Sequence, residues 1–168
     1  MMTAKHDNKV CIIGCGRWLR RDDQVGLFVA QRLEHDAVDA EIVFTEAPGT
    51  EIAHHLENCR LLIAIDAAEP DERHPPGTWQ RIDYREESHR IRLRSRTTTH
   101  TMSIDIALKM SQALDVLPET VWVYAVAIAN ADYGEALTPD VGRAVSDVSE
   151  AIRLDVARWT MKHELSHA

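Results

Sequence analysis

Residues 61–65 read LLIAI, an unbroken run of apolar residues that ends at Asp66. A run with no alternating polar residues is typical of a strand buried on both faces, as in a parallel sheet covered by helices. Similar runs occur at 10–13 and 121–128, and a shorter one at 41–44. The four segments therefore predict the central strands of a mainly parallel sheet.

Helical patterns lie between these segments, and the first of them follows the run at 10–13. Its apolar residues have the spacing of one helical face, and the acidic pair Asp22-Asp23 before it suits the positive end of a helix dipole. The apolar face comprises Val25, Phe28, Val29 and Leu33. Strands that alternate with amphipathic helices predict an α/β fold with helices on both faces of the sheet.

Capping residues predict where three further helices begin. These residues are Thr50, Ser103 and Thr138, whose side chains are of the types preferred at helix N-termini. Residues 78–83 alternate apolar and polar positions, which is typical of an edge strand with one face in water. The highly charged stretch 84–96 is predicted to be an exposed connection.

The bulk composition fits one domain covering residues 1–168, with 1–8 and 161–168 expected as flexible tails. The net charge of −8 argues against a nucleic-acid partner, because phosphates are bound by excess Lys and Arg. The sequence contains no apolar run long enough to span a bilayer. Its three cysteines do not match a zinc pattern, and they favour buried thiols in a reducing compartment.

Three candidate metal ligands are predicted at one rim of the sheet. In proteins with a parallel sheet of this kind, bound molecules lie in the crevice beyond the carboxyl ends of the strands. Asp23 follows the first strand, Asp66 follows the third, and His100 precedes the helix predicted at Ser103. Two carboxylates and an imidazole form a mixed oxygen and nitrogen site that suits nickel or zinc and leaves coordination positions open. Asp22 is the better candidate for a simple helix cap.

A nucleotide site at the same rim is an alternative that the sequence disfavours. Gly14-x-Gly16 begins like a dinucleotide-binding fingerprint, but Leu19 occupies the position of the third glycine. The Asp22-Asp23 pair at the helix N-terminus would repel a pyrophosphate.

Five motifs in order resemble the hydrogenase maturation protease family. Residues 14–26 read GCGRWLRRDDQVG, the third strand ends in Asp66-Ala67, and Thr99-His100 precedes a helix. Residues 75–78 read PPGT, and residues 134–139 read GEALTP before the last helix. The resemblance extends over residues 10–159.

This resemblance implies a three-layer α/β/α sandwich of the phosphorylase/hydrolase-like kind, with five mostly parallel strands and one antiparallel edge strand. It also implies a cytoplasmic, monomeric, aspartic-type endopeptidase that removes the C-terminal extension of a [NiFe]-hydrogenase large-subunit precursor. Asp23, Asp66 and His100 would coordinate nickel that arrives with the precursor, so the isolated protein should hold metal weakly. Asp23 and Asp66 are the candidate catalytic residues. Further candidate substrate contacts are Gly16, Arg17, Asp22, Gly49 and Thr99.

Two residues depart from the family pattern at the rim. Arg17 stands where the family usually has Asn, and Gln24 stands where it often has Gly. A carboxylate base and a metal-activated water both remain possible mechanisms. A non-catalytic module that recognises metal-loaded precursor, and a nucleotide-binding domain, are the alternative functions.

Overall fold

The computed structural model of the protein describes residues 9–91, 93 and 103–166. These residues form a five-stranded sheet in the order β2-β1-β3-β5-β4. The strands are β1 (Lys9–Cys15), β2 (Glu41–Thr45), β3 (Cys59–Ala68), β4 (Trp79–Asp83) and β5 (Thr120–Ala127). Strands β1, β2, β3 and β5 pair in parallel, and β4 pairs antiparallel with β5 at the edge. The predicted strands and the antiparallel edge strand are confirmed.

Helices cover both faces of the sheet, which confirms the three-layer α/β/α sandwich. They are α1 (Val25–His35), α2 (Pro48–His55), α3 (Tyr84–Glu87), α4 (Ile104–Ala113) and α5 (Pro139–Leu165), and a 3-10 turn, Arg21–Gln24, precedes α1. Apolar residues of α1 and α5 share one buried cluster with the sheet. Those of α2 and α4 share the other. None of the described helices combines the length and the apolar character needed to cross a lipid bilayer.

Strand β3 lies at the centre of the sheet and contributes side chains to both clusters. Ile63 and Ile65 face α1 and α5, whereas Leu62 and Ala64 face α2 and α4. Side chains alternate between the two faces of a strand, so Asp66 lies on the α2/α4 face. The sequence predicted that Asp66 follows the end of the strand. The strand instead continues to Ala68, so Asp66 lies inside β3.

Several predicted boundaries were wrong for local reasons. Helix α2 begins at Pro48, where the fixed φ of proline suits the first helical position, so Thr50 lies within the helix and does not cap it. The charged stretch after β4 contains α3, because the Asp83 carboxylate accepts hydrogen bonds from the backbone N–H groups of Arg85 and Glu86. Helix α5 extends to Leu165, so residues 161–165, expected in a tail, are helical.

The predictions for α4 and α5 were partly right. Ser103 caps α4 as predicted, and its hydroxyl accepts from the N–H of Ile106. Leu114, the C-cap residue of α4, is 69% exposed. Thr138 is the N-cap residue of α5, but its side chain makes no capping hydrogen bond. It bonds to Asp22, a contact described below.

Substitution by alanine is expected to have opposite effects on stability at two glycines that lie in helices. A Cβ on Gly26 would lie 2.3 Å from the carbonyl oxygen of Cys15 and 2.4 Å from that of Ile65, whereas a Cβ on Gly142 would have no neighbour within 4 Å. We expect Gly26→Ala to lower the free energy of unfolding by about 3 kcal/mol, because α1 would have to move off the sheet. Gly142→Ala should raise it by about 0.5–1 kcal/mol. Urea unfolding measures both, and equal effects would contradict the close approach at Gly26.

Candidate functional site

The loop after β1 fixes Asp23 at the carboxyl edge of the sheet. The carbonyl oxygen of Asp23 accepts from the N–H of Arg17 at 3.4 Å. The N–H of Asp23 donates to the carbonyl of Arg20 at 3.0 Å. A Cβ on Gly16 would lie 2.5 Å from the Asp23 carbonyl oxygen. Gly16 is therefore required for the loop to pack against Asp23, which gives it a steric role. Asp23 itself is only 3% exposed.

Asp66 lies at the same edge, on the strand adjacent to β1. Its Oδ1 accepts from the N–H of Ala67 at 2.9 Å, and the residue is 2% exposed. Strands β1 and β3 pair up to Gly14 and Ile65, and the 3-10 turn that carries Asp23 contacts β3. The structure thus places both predicted catalytic carboxylates at the same edge of the sheet, on two elements that contact each other.

The predictions for His100 and Thr99 fall outside the described residues. The flanking chain is described on both sides. Leu93 forms an antiparallel bridge with Ala68, two residues beyond Asp66, and Ser103 caps α4, which packs on the face that carries Asp66. Both ends of the connection that contains His100 are therefore anchored on the Asp66 side of the sheet.

The described residues contain no group of three or more His, Cys, Asp or Glu side chains placed to hold a metal ion. The carboxylates of Asp23 and Asp66 supply hard oxygen donors, and the predicted imidazole lies outside these residues. Two anionic oxygen ligands suit a divalent cation, and they leave several coordination positions for ligands from another molecule.

Asp22 has a structural role, so the predictions that it caps a helix or contacts substrate are not supported. It is 0% exposed, and its carboxylate accepts from the N–H groups of Ala129 and Asn130, each at 3.0 Å. It also accepts from the N–H of Thr138 at 2.6 Å and from the Thr138 hydroxyl. Asp22 therefore ties the 3-10 turn to the loop after β5 and to the start of α5.

Gln24 shapes the rim beside Asp23, a role that the sequence analysis missed. Its amide oxygen accepts from the N–H of Leu19 at 3.0 Å, and its amide nitrogen donates to the carbonyls of Arg21 and Glu135 at 3.0 and 3.1 Å. Leu19 and Arg21 have positive φ angles of 61° and 43°. Such backbone persists only where neighbouring groups hold it, and Gln24 provides those contacts.

Two other predicted contacts also lie along this edge. Arg17 is half-buried in the loop after β1, and Gly49 lies in the first turn of α2. The N–H of Trp18 donates to Oε1 of Glu46 at 2.9 Å, which joins this loop to the chain entering α2. The loop around Asp23 is therefore held by hydrogen bonds to Glu46 before α2 and to Glu135 before α5.

A groove of about 300 Å³ lies on the Asp66 face of β5 and β4, and no pattern in the sequence predicts it. Its floor includes Ala68 and Ala125, and Gln80 lies at the sheet edge. Ala125 is the register partner of Asp66 on the neighbouring strand. Nothing short of the strand register could have revealed this arrangement.

The comparisons with known proteins agree with the fold described above. The model of the family described as hydrogenase maturation protease matches residues 30–154. The chain belongs to the hydrogenase maturation protease family. No curated protein sequence matches it.

Solved structures of maturation proteases share the fold. The [NiFe]-hydrogenase maturation protease HybD from Thermococcus kodakarensis is similar with a TM-score of 0.67 and 24% identity, over 88% of this chain and 99% of that chain. The hydrogenase maturating endopeptidase HybD from E. coli is similar with a TM-score of 0.69 and 20% identity, over 86% and 89% of the two chains. At these identities the likeness shows a common fold.

Proposed function

We propose that this protein is an endopeptidase that removes the C-terminal extension from a nickel-loaded [NiFe]-hydrogenase large-subunit precursor. The observation that carries the proposal is the placement of two buried carboxylates, Asp23 and Asp66, at one edge of the sheet in a chain of this family. In this proposal His100 joins them, and the three side chains complete the coordination of the nickel that the precursor brings. The location is the cytoplasm, since all three cysteines are free thiols.

The burial of the two carboxylates supports a site that is completed by its substrate. Both carboxylates are nearly shielded from water at one edge of the sheet, and a divalent cation bound by both would be attracted to them with little screening. The ligands that the precursor already supplies to nickel fill the positions that the protease leaves open. Precursor without nickel would lack this contact, so the protease would cut only precursor that has received its metal.

The chemistry that follows is hydrolysis of one peptide bond held beside the metal. Docking places that amide against Asp23 and Asp66, and a fixed amide and water remove much of the entropic barrier. In the mechanism we favour, Asp23 takes the proton of the attacking water as general base. Nickel held by Asp23, Asp66 and His100 would polarise the scissile carbonyl or the water. The proton that Asp23 takes from the water then passes to the amine of the extension as the peptide bond breaks.

The experiment that tests this function is the mass of the precursor after incubation with the protein. We expect nickel-loaded precursor to be shortened and nickel-free precursor to remain intact. His100→Ala should slow cleavage by about 100-fold or more, because the nickel would lose one ligand and its orientation. His89→Ala is the matched control, since His89 is exposed and lies in the 3-10 helix Ser88–Arg90, upstream of His100. An H100A variant as fast as H89A would remove His100 from the site.

A further inference from the structure

The groove beside Asp66 continues the catalytic edge across the sheet. Asp66 is in register with Ala125 on β5, and Ala125 is in register with Gln80 on β4. Residues in register share a face of the sheet, so the three side chains form one row. Ala125 and Gln80 both line the groove. Asp66 does not itself line the groove, whose inner end is at Ala125, the residue in register with Asp66, and whose outer end is at Gln80 on the edge strand β4.

The row has the length of a short peptide. Neighbouring strands lie about 4.8 Å apart, so the row from Asp66 to Gln80 spans about 10 Å. An extended chain advances about 3.3 Å per residue, which makes this span equal to about three residues. A volume of about 300 Å³ is too small for a folded domain and is of the size that binds small ligands and peptide segments.

Small side chains create the groove. Ala68, Ala125 and Ala127 form its floor on two adjacent strands, where larger apolar residues would fill the space. Ala68 and Ala127 are themselves in register, one row beyond Asp66 and Ala125. Two consecutive rows of the sheet thus carry alanine side chains, which leave space over the sheet. The first of these rows also contains Asp66.

Hydrogen bonds join residues on the walls of the groove. Oδ1 of Asp71 accepts from the N–H groups of Arg73 and His74, each at 2.8 Å, and contacts Nδ1 of His74 at 2.9 Å. These contacts hold the loop along one side. On the other side, Nη2 of Arg90 donates to Oε1 of Gln80 at 3.3 Å. Residues held by such contacts lose less conformational freedom when a ligand binds.

We propose that this groove binds about three residues of the substrate directly after the scissile bond, as an extended segment of the departing extension. The proposal rests on the proposed function. The nickel and the folded body of the precursor stay at the carboxylates, because the groove admits no domain. The chain beyond the cleaved bond must then leave Asp66, and the alanine-floored row leads from Asp66 to the sheet edge. The residues of the extension that lie in this row would help to hold the scissile bond against the carboxylates.

Gln80→Trp tests the proposal by filling the outer end of the groove from a half-buried position. We expect the precursor concentration that gives half-maximal cleavage to rise by about tenfold, because the extension loses its contacts. The rate of wild-type cleavage should also increase as the extension is lengthened up to about three residues and then level off, whereas Q80W should show no such increase beyond the first residues. Arg81→Trp is the matched control, since Arg81 is adjacent in β4 and faces α5, where it pairs with Asp155.

A second measurement separates this inference from the proposed function. A fluorescent peptide that comprises the last residues of the mature subunit and the whole extension is titrated with wild type, Q80W and R81W. If only Q80W binds the peptide more weakly than wild type, the groove proposal is supported. This holds even if none of the three proteins cleaves the precursor, a result that would overturn only the proposed function. Cleavage and peptide binding that are equal in all three proteins would overturn the groove and leave the proposed function standing. If wild type neither binds the peptide nor cuts the precursor, both are overturned.

Discussion

Asp66→Asn should abolish cleavage of the nickel-loaded precursor while leaving the fold intact. The amide has nearly the shape of the carboxylate. In the wild type Oδ1 of Asp66 accepts a hydrogen bond from the N–H of Ala67, and the amide oxygen can still accept it. The negative charge is lost, and with it the electrostatic attraction to nickel and to the proton released from water. We expect a fall in the cleavage rate of about 1,000-fold.

The rate is measured as the fraction of precursor shortened over time, by mass spectrometry, with circular dichroism as a check on the fold. Asp105→Asn is the matched control. Asp105 is also an aspartate on the α2/α4 side of the sheet, but it lies in the first turn of α4 and pairs with Lys109 at 2.6 Å. Its loss should leave the rate unchanged. Cleavage by D66N at the wild-type rate would remove Asp66 from the mechanism.

Asp22→Ala should give the largest loss of stability of any substitution discussed for this protein. The carboxylate is fully buried and accepts from three backbone N–H groups and the Thr138 hydroxyl. Alanine would leave these donors without their carboxylate acceptor in a site shielded from solvent. We expect the free energy of unfolding to fall by about 4 kcal/mol, since hydrogen bonds to a charged group are strong and their orphaned donors are costly.

The urea midpoint measures this loss, and Asp140→Ala provides the comparison. Asp140 lies in the first turn of α5, close in sequence to Thr138, but it is exposed and forms a surface ion pair with Arg143. An exposed pair of this kind contributes little, so D140A should lower the stability by less than about 1 kcal/mol. If D22A and D140A were equally stable, the buried network around Asp22 would contribute nothing.

The sheet could be predicted from the sequence because its signal is local. Each central strand is a continuous apolar run, and burial on both faces requires such a run wherever it occurs in the chain. The position of Asp66 follows from the same run, since an acidic residue at its end lies near the carboxyl edge. The boundary was less certain, because Ala67 and Ala68 continue β3 and small residues give no strong strand signal.

The partners of Asp22 and Gln24 could not be predicted, because they are distant in sequence. Asp22 binds residues 107 to 116 positions away, and Gln24 binds the carbonyl of Glu135, 111 positions away. A capping role for Asp22 was the natural local interpretation of an acidic residue before a helix. The tertiary contact replaced it because the start of α5 and the loop after β5 bring several backbone donors to the same carboxylate.

The groove was hidden for a related reason. Ala68, Ala125 and Gln80 lie in three strands, and their proximity depends on two strand registers, one parallel and one antiparallel. Alanines within apolar strands carry no distinctive pattern of their own. Only after the register is known do they form an open row beside Asp66.

The most direct test of the central claim is the position of nickel in a crystal of the protein soaked at millimolar Ni²⁺, located by anomalous diffraction. We expect one peak about 2 Å from a carboxylate oxygen of Asp23, a carboxylate oxygen of Asp66 and a ring nitrogen of His100, the distance at which such ligands hold first-row divalent ions. A map that shows the His100 imidazole remote from both carboxylates, with no nickel between them, would contradict it.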